Sequence, residues 1–280
     1  MQLRSSLNLP LCLPLRSLMA SLVITASLGT TCLAAEPAPQ VELNTNLGTI
    51  VLELDPEAAP KTVKNFLQYV KSGFYNGTIF HRVIDGFMIQ GGGMGKDLKE
   101  KKAKAPIVLE AQNAVDHGLK NDIGTIAMAR EMQPNTATSE FFINVANNDF
   151  LNPAKIPDGD PVQFMRRGTM RTMPRAEALL ISAGYAPFGR VIDGMAVVNQ
   201  IKVLETEARG ENLNVPKKTV TVISAKILKT HITPKTIDEQ LGIKPAEPAP
   251  VAAPAVENTE QKTPATEQPA SQPTPAAASN

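Results

Sequence analysis

The sequence predicts a mainly β fold, one closed barrel with helices over its ends. Three features predict it: a hairpin-like opening at 41–54, short apolar runs punctuated by glycines through 78–192, and two segments of helical period. Val41-Glu42-Leu43-Asn44-Thr45 and Thr49-Ile50-Val51-Leu52-Glu53-Leu54 flank a short turn holding Asn46 and Gly48, the pattern of a β-hairpin. Asp55-Pro56 breaks the run. Residues 59–72 then place Val63, Phe66, Leu67 and Val70 at i, i+3, i+4 and i+7, an amphipathic helix that Gly73 ends. The runs 78–84, 87–90, 124–129, 141–145 and 188–192 read as strands, 194–201 as a second helix. The last strand is expected within 219–228, with Ile223, Ala225 and Ile227 on one face. Closing these strands into a barrel removes exposed sheet edges.

The chain divides into a leader (1–35), a folded domain (36–230) with an insertion (153–184), and a tail (231–280). Arg4 and Arg16 are the only charges of the leader, an apolar stretch follows at 18–28, and small residues close it at Ala34 and Ala35. That is the pattern of a secretory signal removed near Ala34 or Ala35, which places the mature chain outside the cytoplasm, in the periplasm. Retention as a membrane anchor is the other reading, disfavoured by Ser21, Thr25, Ser27 and Gly29 breaking the apolar run. Secretion, or lipid anchoring at Cys32, are further alternatives. From residue 245 on, the tail is dominated by Pro, Ala, Glu, Gln and Thr without an aromatic, a composition that cannot offset its ordering entropy. The insertion carries Arg166, Arg167, Arg171 and Arg175, with a helical turn or two expected at 175–183. A connection of that length is either functional or a flexible solvated loop.

Much chemistry is excluded. With 42% hydrophobic residues, 20% charged and a formal net charge of +1, nothing calls for nucleic acid. Both cysteines, Cys12 and Cys32, lie in the leader, and only His81, His117 and His231 remain, so neither thiolate chemistry nor a metal cluster is expected. The run Gly91-Gly92-Gly93-Met94-Gly95-Lys96 is not a P-loop: Gln90 stands where the first glycine is needed and Asp97 where Ser or Thr is needed. Lys96 also spoils a dinucleotide pattern, and no Gly-x-Ser-x-Gly elbow is present. No cofactor is expected.

What remains is Phe80-His81-Arg82-Val83-Ile84-Asp85-Gly86-Phe87-Met88-Ile89-Gln90-Gly91-Gly92, followed by Gly124-Thr125-Ile126-Ala127-Met128-Ala129-Arg130, Ser139-Glu140-Phe141-Phe142-Ile143-Asn144, and Phe188-Gly189-Arg190-Val191 with Asp193-Gly194-Met195. In this order the four segments resemble the signature of the cyclophilins, in the style of the exported bacterial members. The resemblance implies eight antiparallel strands, two α-helices over the barrel ends, and catalysis of X-Pro cis-trans isomerisation in proline-containing polypeptides by a monomer.

The chemistry is consistent with such residues. Rotation about an X-Pro amide is opposed by resonance, a barrier of roughly 20 kcal/mol. No bond need break; the twisted amide must be favoured over the planar forms. A guanidinium donating to the prolyl nitrogen withdraws its lone pair from resonance, more strongly in an apolar pocket. The resemblance gives that role to Arg82, with Phe87 and Gln90 completing the catalytic set. It assigns the proline pocket to Phe87, Met88, Phe142 and Leu151, and lines the groove with Ala129 and Arg130. His81 is either a groove-floor residue or a satisfied core histidine. Three residues depart from the common pattern: Glu140 where Gln is usual, Phe150 in place of Trp, and Tyr185 in place of His. An ionised carboxylate only accepts hydrogen bonds, so Glu140 is expected to pair with Arg82 and restrain it, or to shift substrate preference. A slow proline-binding module is the competing function.

Overall fold

The computed structural model describes residues 37–243 except Arg167, and the elements below all lie in one unit beginning at Pro39. The expected leader, and the tail beyond 243, lie outside the described residues.

Strands β1 (Gln40–Thr45) and β2 (Gly48–Leu54) form the expected hairpin, with Thr45 opposite Gly48. Their alternation sends Val41, Leu43, Ile50, Leu52 and Leu54 into the core. Helix α1 (Pro60–Lys71) starts on a proline at its first turn and buries Val63, Phe66, Tyr69 and Val70; Gly73, at φ 68°, follows its end. Next come β3 (Phe80–Ile84), β4 (Met88–Gly91), the short α2 (Ala111–Asp116), β5 (Thr125–Met128) and β6 (Phe141–Asn144). The insertion holds β7 (Val162–Arg166), β8 (Thr169–Met173) and α3 (Arg175–Ser182). The chain continues as β9 (Pro187–Asp193), α4 (Met195–Lys202), β10 (Thr206–Arg209), β11 (Asn212–Pro216), β12 (Val222–Ile227) and α5 (Ile237–Leu241).

Eight strands make one antiparallel sheet in the order β12-β1-β2-β9-β5-β6-β4-β3. It curls around a core where Phe66 meets Tyr75, Phe141 and Phe188 at ring-centroid distances of 5.1, 5.7 and 5.1 Å. The closed barrel expected from the sequence is not formed: the sheet is a curled half-barrel. Its outer strands β3 and β12 meet only near one end, through the Ile79–Thr221 bridge and bonds such as Phe80 N to Val220 O at 2.9 Å. Beyond that point β11 lies beside β3, while β12 turns to pair with β1, so the ladder cannot zip shut. A second correction concerns Ile223, which is 54% exposed and does not share the buried face of Ala225. Asn44 pairs with Ser224 but Thr45 with Val222, so Ile223 is the extra residue of a bulge and Val222 takes the buried place.

The insertion is an ordered subdomain with its own small core of Val162, Phe164 and Ala178. Its two ends meet where Ala154 N donates to Ser182 O at 3.0 Å. The tail begins later than residue 231. Gln40 exchanges two hydrogen bonds with the backbone of Ile232, and α5 opens with a capping box between Thr236 and Glu239. Gln240 accepts from Met195 N at the start of α4 and donates to Val191 O. These polar anchors carry no apolar period, which hides them in the sequence.

Candidate active site

The β3–β4 hairpin builds the site through a bulge. Phe80 pairs with Gly91 and Arg82 with Gln90, leaving His81 as the extra residue. Phe80 and Val83 therefore both enter the main core, and Arg82 swings to the opposite face of the sheet. Gln90 and Met88 on β4, Phe142 on β6 and Ala127 on β5 share that face by strand alternation.

A second apolar cluster forms there. Met88, Ala127, Phe142 and Leu151 are its buried members, rimmed by Ile84, Phe87, Ala129 and Tyr185. The residues predicted for the pocket, Phe87, Met88, Phe142 and Leu151, are thus brought together. Phe150 stacks on Phe87 at 5.6 Å, and Tyr185 meets Phe142 edge-on at 5.7 Å. Arg130 lies 4.7 Å from the Tyr185 ring centroid and donates to the carbonyls of Gly184, Glu131 and Met132.

Arg82 is half-buried, and its Nη1 donates to Gln90 Oε1 at 3.2 Å. Gln90 Nε2 in turn donates to Glu140 Oε2 at 2.7 Å. The direct Arg82–Glu140 pair expected from the sequence is absent, because Gln90 stands between them. Gly93 makes room for this carboxylate; a Cβ there would collide with the Glu140 side chain. Burial raises the Glu140 carboxyl above its ordinary value, and the Gln90 bond opposes that shift.

His81 is not the satisfied core histidine that was one of the two expectations. It is buried, but its Nδ1 has no hydrogen-bond partner. Burial first, then the Arg82 charge, lower it from 6.5 to about 4. It is therefore neutral at pH 7, and its 3.7 Å approach to Glu140 is not an ion pair there.

Two clefts flank Arg130. One, of about 540 Å³, is lined by Gln90, Ala129 and Glu140 among others; the second, of about 380 Å³, is lined by Arg82, Phe87, Phe150, Leu151 and Tyr185 with Arg166, Leu180 and Ile181 of the insertion. The sequence reading set the Arg-rich insertion beside the groove, as a gate or partner site or as a solvated loop, but singled out neither Leu180 nor Ile181. It also missed a buried asparagine chain. Asn148 Nδ2 donates to Phe87 O and to Asn144 Oδ1, and Asn144 Nδ2 donates to Asn121 Oδ1 and Thr125 Oγ1, fixing the loop that carries Phe87. Only the density of Asn around 144–152 hinted at it.

The sheet thus carries an arginine on its outer face beside a buried apolar cluster. The chain belongs to the cyclophilin family: the model described as cyclophilin type peptidyl-prolyl cis-trans isomerase matches residues 40–227. It is an enzyme, a peptidyl-prolyl cis-trans isomerase. It is 49% identical to the peptidyl-prolyl cis-trans isomerase cyp18 of Streptomyces antibioticus over 67% of this chain and 98% of that one. It is 46% identical to peptidyl-prolyl cis-trans isomerase B of Escherichia coli, over 67% of this chain and 98% of that protein. A Cryptosporidium parvum cyclophilin type peptidyl-prolyl cis-trans isomerase, solved in the presence of the dipeptide Ala-Pro, superposes with a TM-score of 0.51 at 26% identity, covering 68% of this chain and 99% of that one.

Proposed function

We propose that the groove binds proline-containing polypeptides, seats the proline ring on Met88, Phe142 and Leu151, and lets Arg82 donate to the prolyl nitrogen as the amide twists. The observation that carries this reading is the pairing of Arg82 with Gln90 at the rim of that cluster. Gln90 accepts from one side of the guanidinium and orients the rest. Stabilising only the twisted amide lowers the barrier without covalent chemistry. Ala129 and Arg130 flank the peptide path, and Phe87, Phe150 and Tyr185 close the pocket with aromatic surface. The reading needs neither cofactor nor metal, and the site lies within a single chain. The Ala-Pro dipeptide named for the Cryptosporidium parvum structure supports a proline ligand for the equivalent groove.

The leader pattern with Arg4, Arg16 and Ala34-Ala35 supports export to the periplasm, where the clients are other exported chains. N-terminal sequencing of the exported protein tests removal of the leader.

A slow proline-binding module is favoured by one observation, the Arg82–Gln90–Glu140 chain that ties the guanidinium toward a carboxylate. A protease-coupled isomerisation assay on an Ala-Pro peptide separates the two. The enzyme mechanism predicts that Arg82→Ala lowers kcat/KM about 100-fold or more, the loss typical of one transition-state donor. Wild-type rates no higher than those of Arg82→Ala overturn the mechanism and leave the binding module.

A further inference from the structure

The two clefts beside Arg130 differ in charge. The larger is balanced, with Glu100, Glu131 and Glu140 against Lys101, Lys102 and Arg130. The smaller carries Arg82, Arg130 and Arg166 and no carboxylate among its lining residues. Arg166 is the insertion's contribution, and the subdomain's architecture delivers it. Val162, Phe164 and Arg166 alternate onto one face of β7; the first two pack with Ala178 and Ile181 of α3. The third, held by the same face, reaches Ser182 Oγ at 3.5 Å and the cleft wall. Leu180 and Ile181 add apolar surface next to it.

We propose that the insertion makes this cleft a specificity site for polypeptides carrying an acidic side chain close to the proline, on the side of the pocket away from Glu140. The inference rests on the groove being the substrate site. Three guanidinium groups around one partly enclosed space set up a positive potential that low-dielectric walls focus. Of the three, Arg130 is held by backbone carbonyls and Arg82 by Gln90, both on the sheet scaffold, and Arg166 is the one that the insertion supplies. It acts as a recognition residue.

The test uses the mature chain and a set of peptides with one Ala-Pro step, carrying Glu or Gln at one of three positions before or after it. Calorimetry measures binding, and NMR exchange measures isomerisation. At low salt, the Glu peptide should bind about three- to tenfold tighter than its Gln twin at one or more positions on one side of the proline only. At about 0.5 M salt the difference should fall below about twofold. Arg166→Gln should bring the Glu/Gln affinity ratio close to one, and Arg166→Lys should keep most of it. Equal affinities for every twin pair, or a full preference surviving in Arg166→Gln, overturn the proposal. Catalysed exchange is read separately: its absence for every peptide overturns the proposed function, while the affinity ratio still decides the specificity site.

Discussion

Gln90 stands directly opposite Arg82 in the β3–β4 ladder, and its side-chain oxygen accepts from Arg82 Nη1 at 3.2 Å. The bulge at His81 comes just before this pair and lets Phe80 as well as Val83 face the core while Arg82 faces away.

Removing this partner should misaim the guanidinium without removing it. Gln90→Ala is expected to lower kcat about ten- to a hundredfold, the effect of small misplacements in a positioned group. KM should change little if the pocket is intact. The measurement is a full saturation curve by NMR exchange; an unchanged kcat would show that Arg82 is aimed by something else.

Glu140 reaches Arg82 only through Gln90. Glu140→Gln keeps an acceptor for Gln90 Nε2 and removes the negative charge behind it. Turnover on a neutral Ala-Pro peptide should rise about two- to fivefold, the worth of a partly screened charge contact. Equal or lower rates would rule out the carboxylate as a brake.

The third prediction concerns acid stability. Folding lowers His81 from 6.5 to about 4, so the unfolded chain binds the proton more readily. The resulting contribution is fully present above pH 6.5 and is lost as pH falls towards 4, about 3 kcal/mol in total. The charges that bear on the ring are Arg82, Glu100 and Glu140. Urea denaturation at pH 7 and pH 4.5 should show a smaller acid loss in His81→Phe than in wild type. Identical losses would mean that another group governs the acid limb.

A fourth prediction tests the C-terminal anchor. Gln240→Ala removes the acceptor at Met195 N and the donor to Val191 O and Lys235 O. Such bonds are worth about 1 kcal/mol net each, a loss of about 2–3 kcal/mol readable as a lowered urea midpoint with an unchanged slope. No shift would mean that Ile237 and Leu241, packed against the core, hold α5 without Gln240.

The sequence made the strands legible where one face is buried, because β1, β2, β5 and β6 alternate or run apolar. It made α1 legible through its four-residue stripe. The pocket members Met88, Phe142 and Leu151 were reached by resemblance, not by period, since each alone reads as core. The half-barrel's opening was not legible: it depends on where β11 lies, a contact distant in sequence. The bulges at His81 and Ile223 were equally hidden, because a register shift leaves no mark on composition. The β7–β8 hairpin was missed because Met165, Met170 and the arginines blur its alternation. Arg166 joined the site only through three-dimensional proximity.

The hydrogen bond from Ala154 to Ser182 draws the stems of the insertion side by side. A module of nearly thirty residues therefore enters and leaves the domain at one place. Evolution or an engineer can exchange it for another module there, retuning what enters the groove while the scaffold that performs the rotation stays as it is.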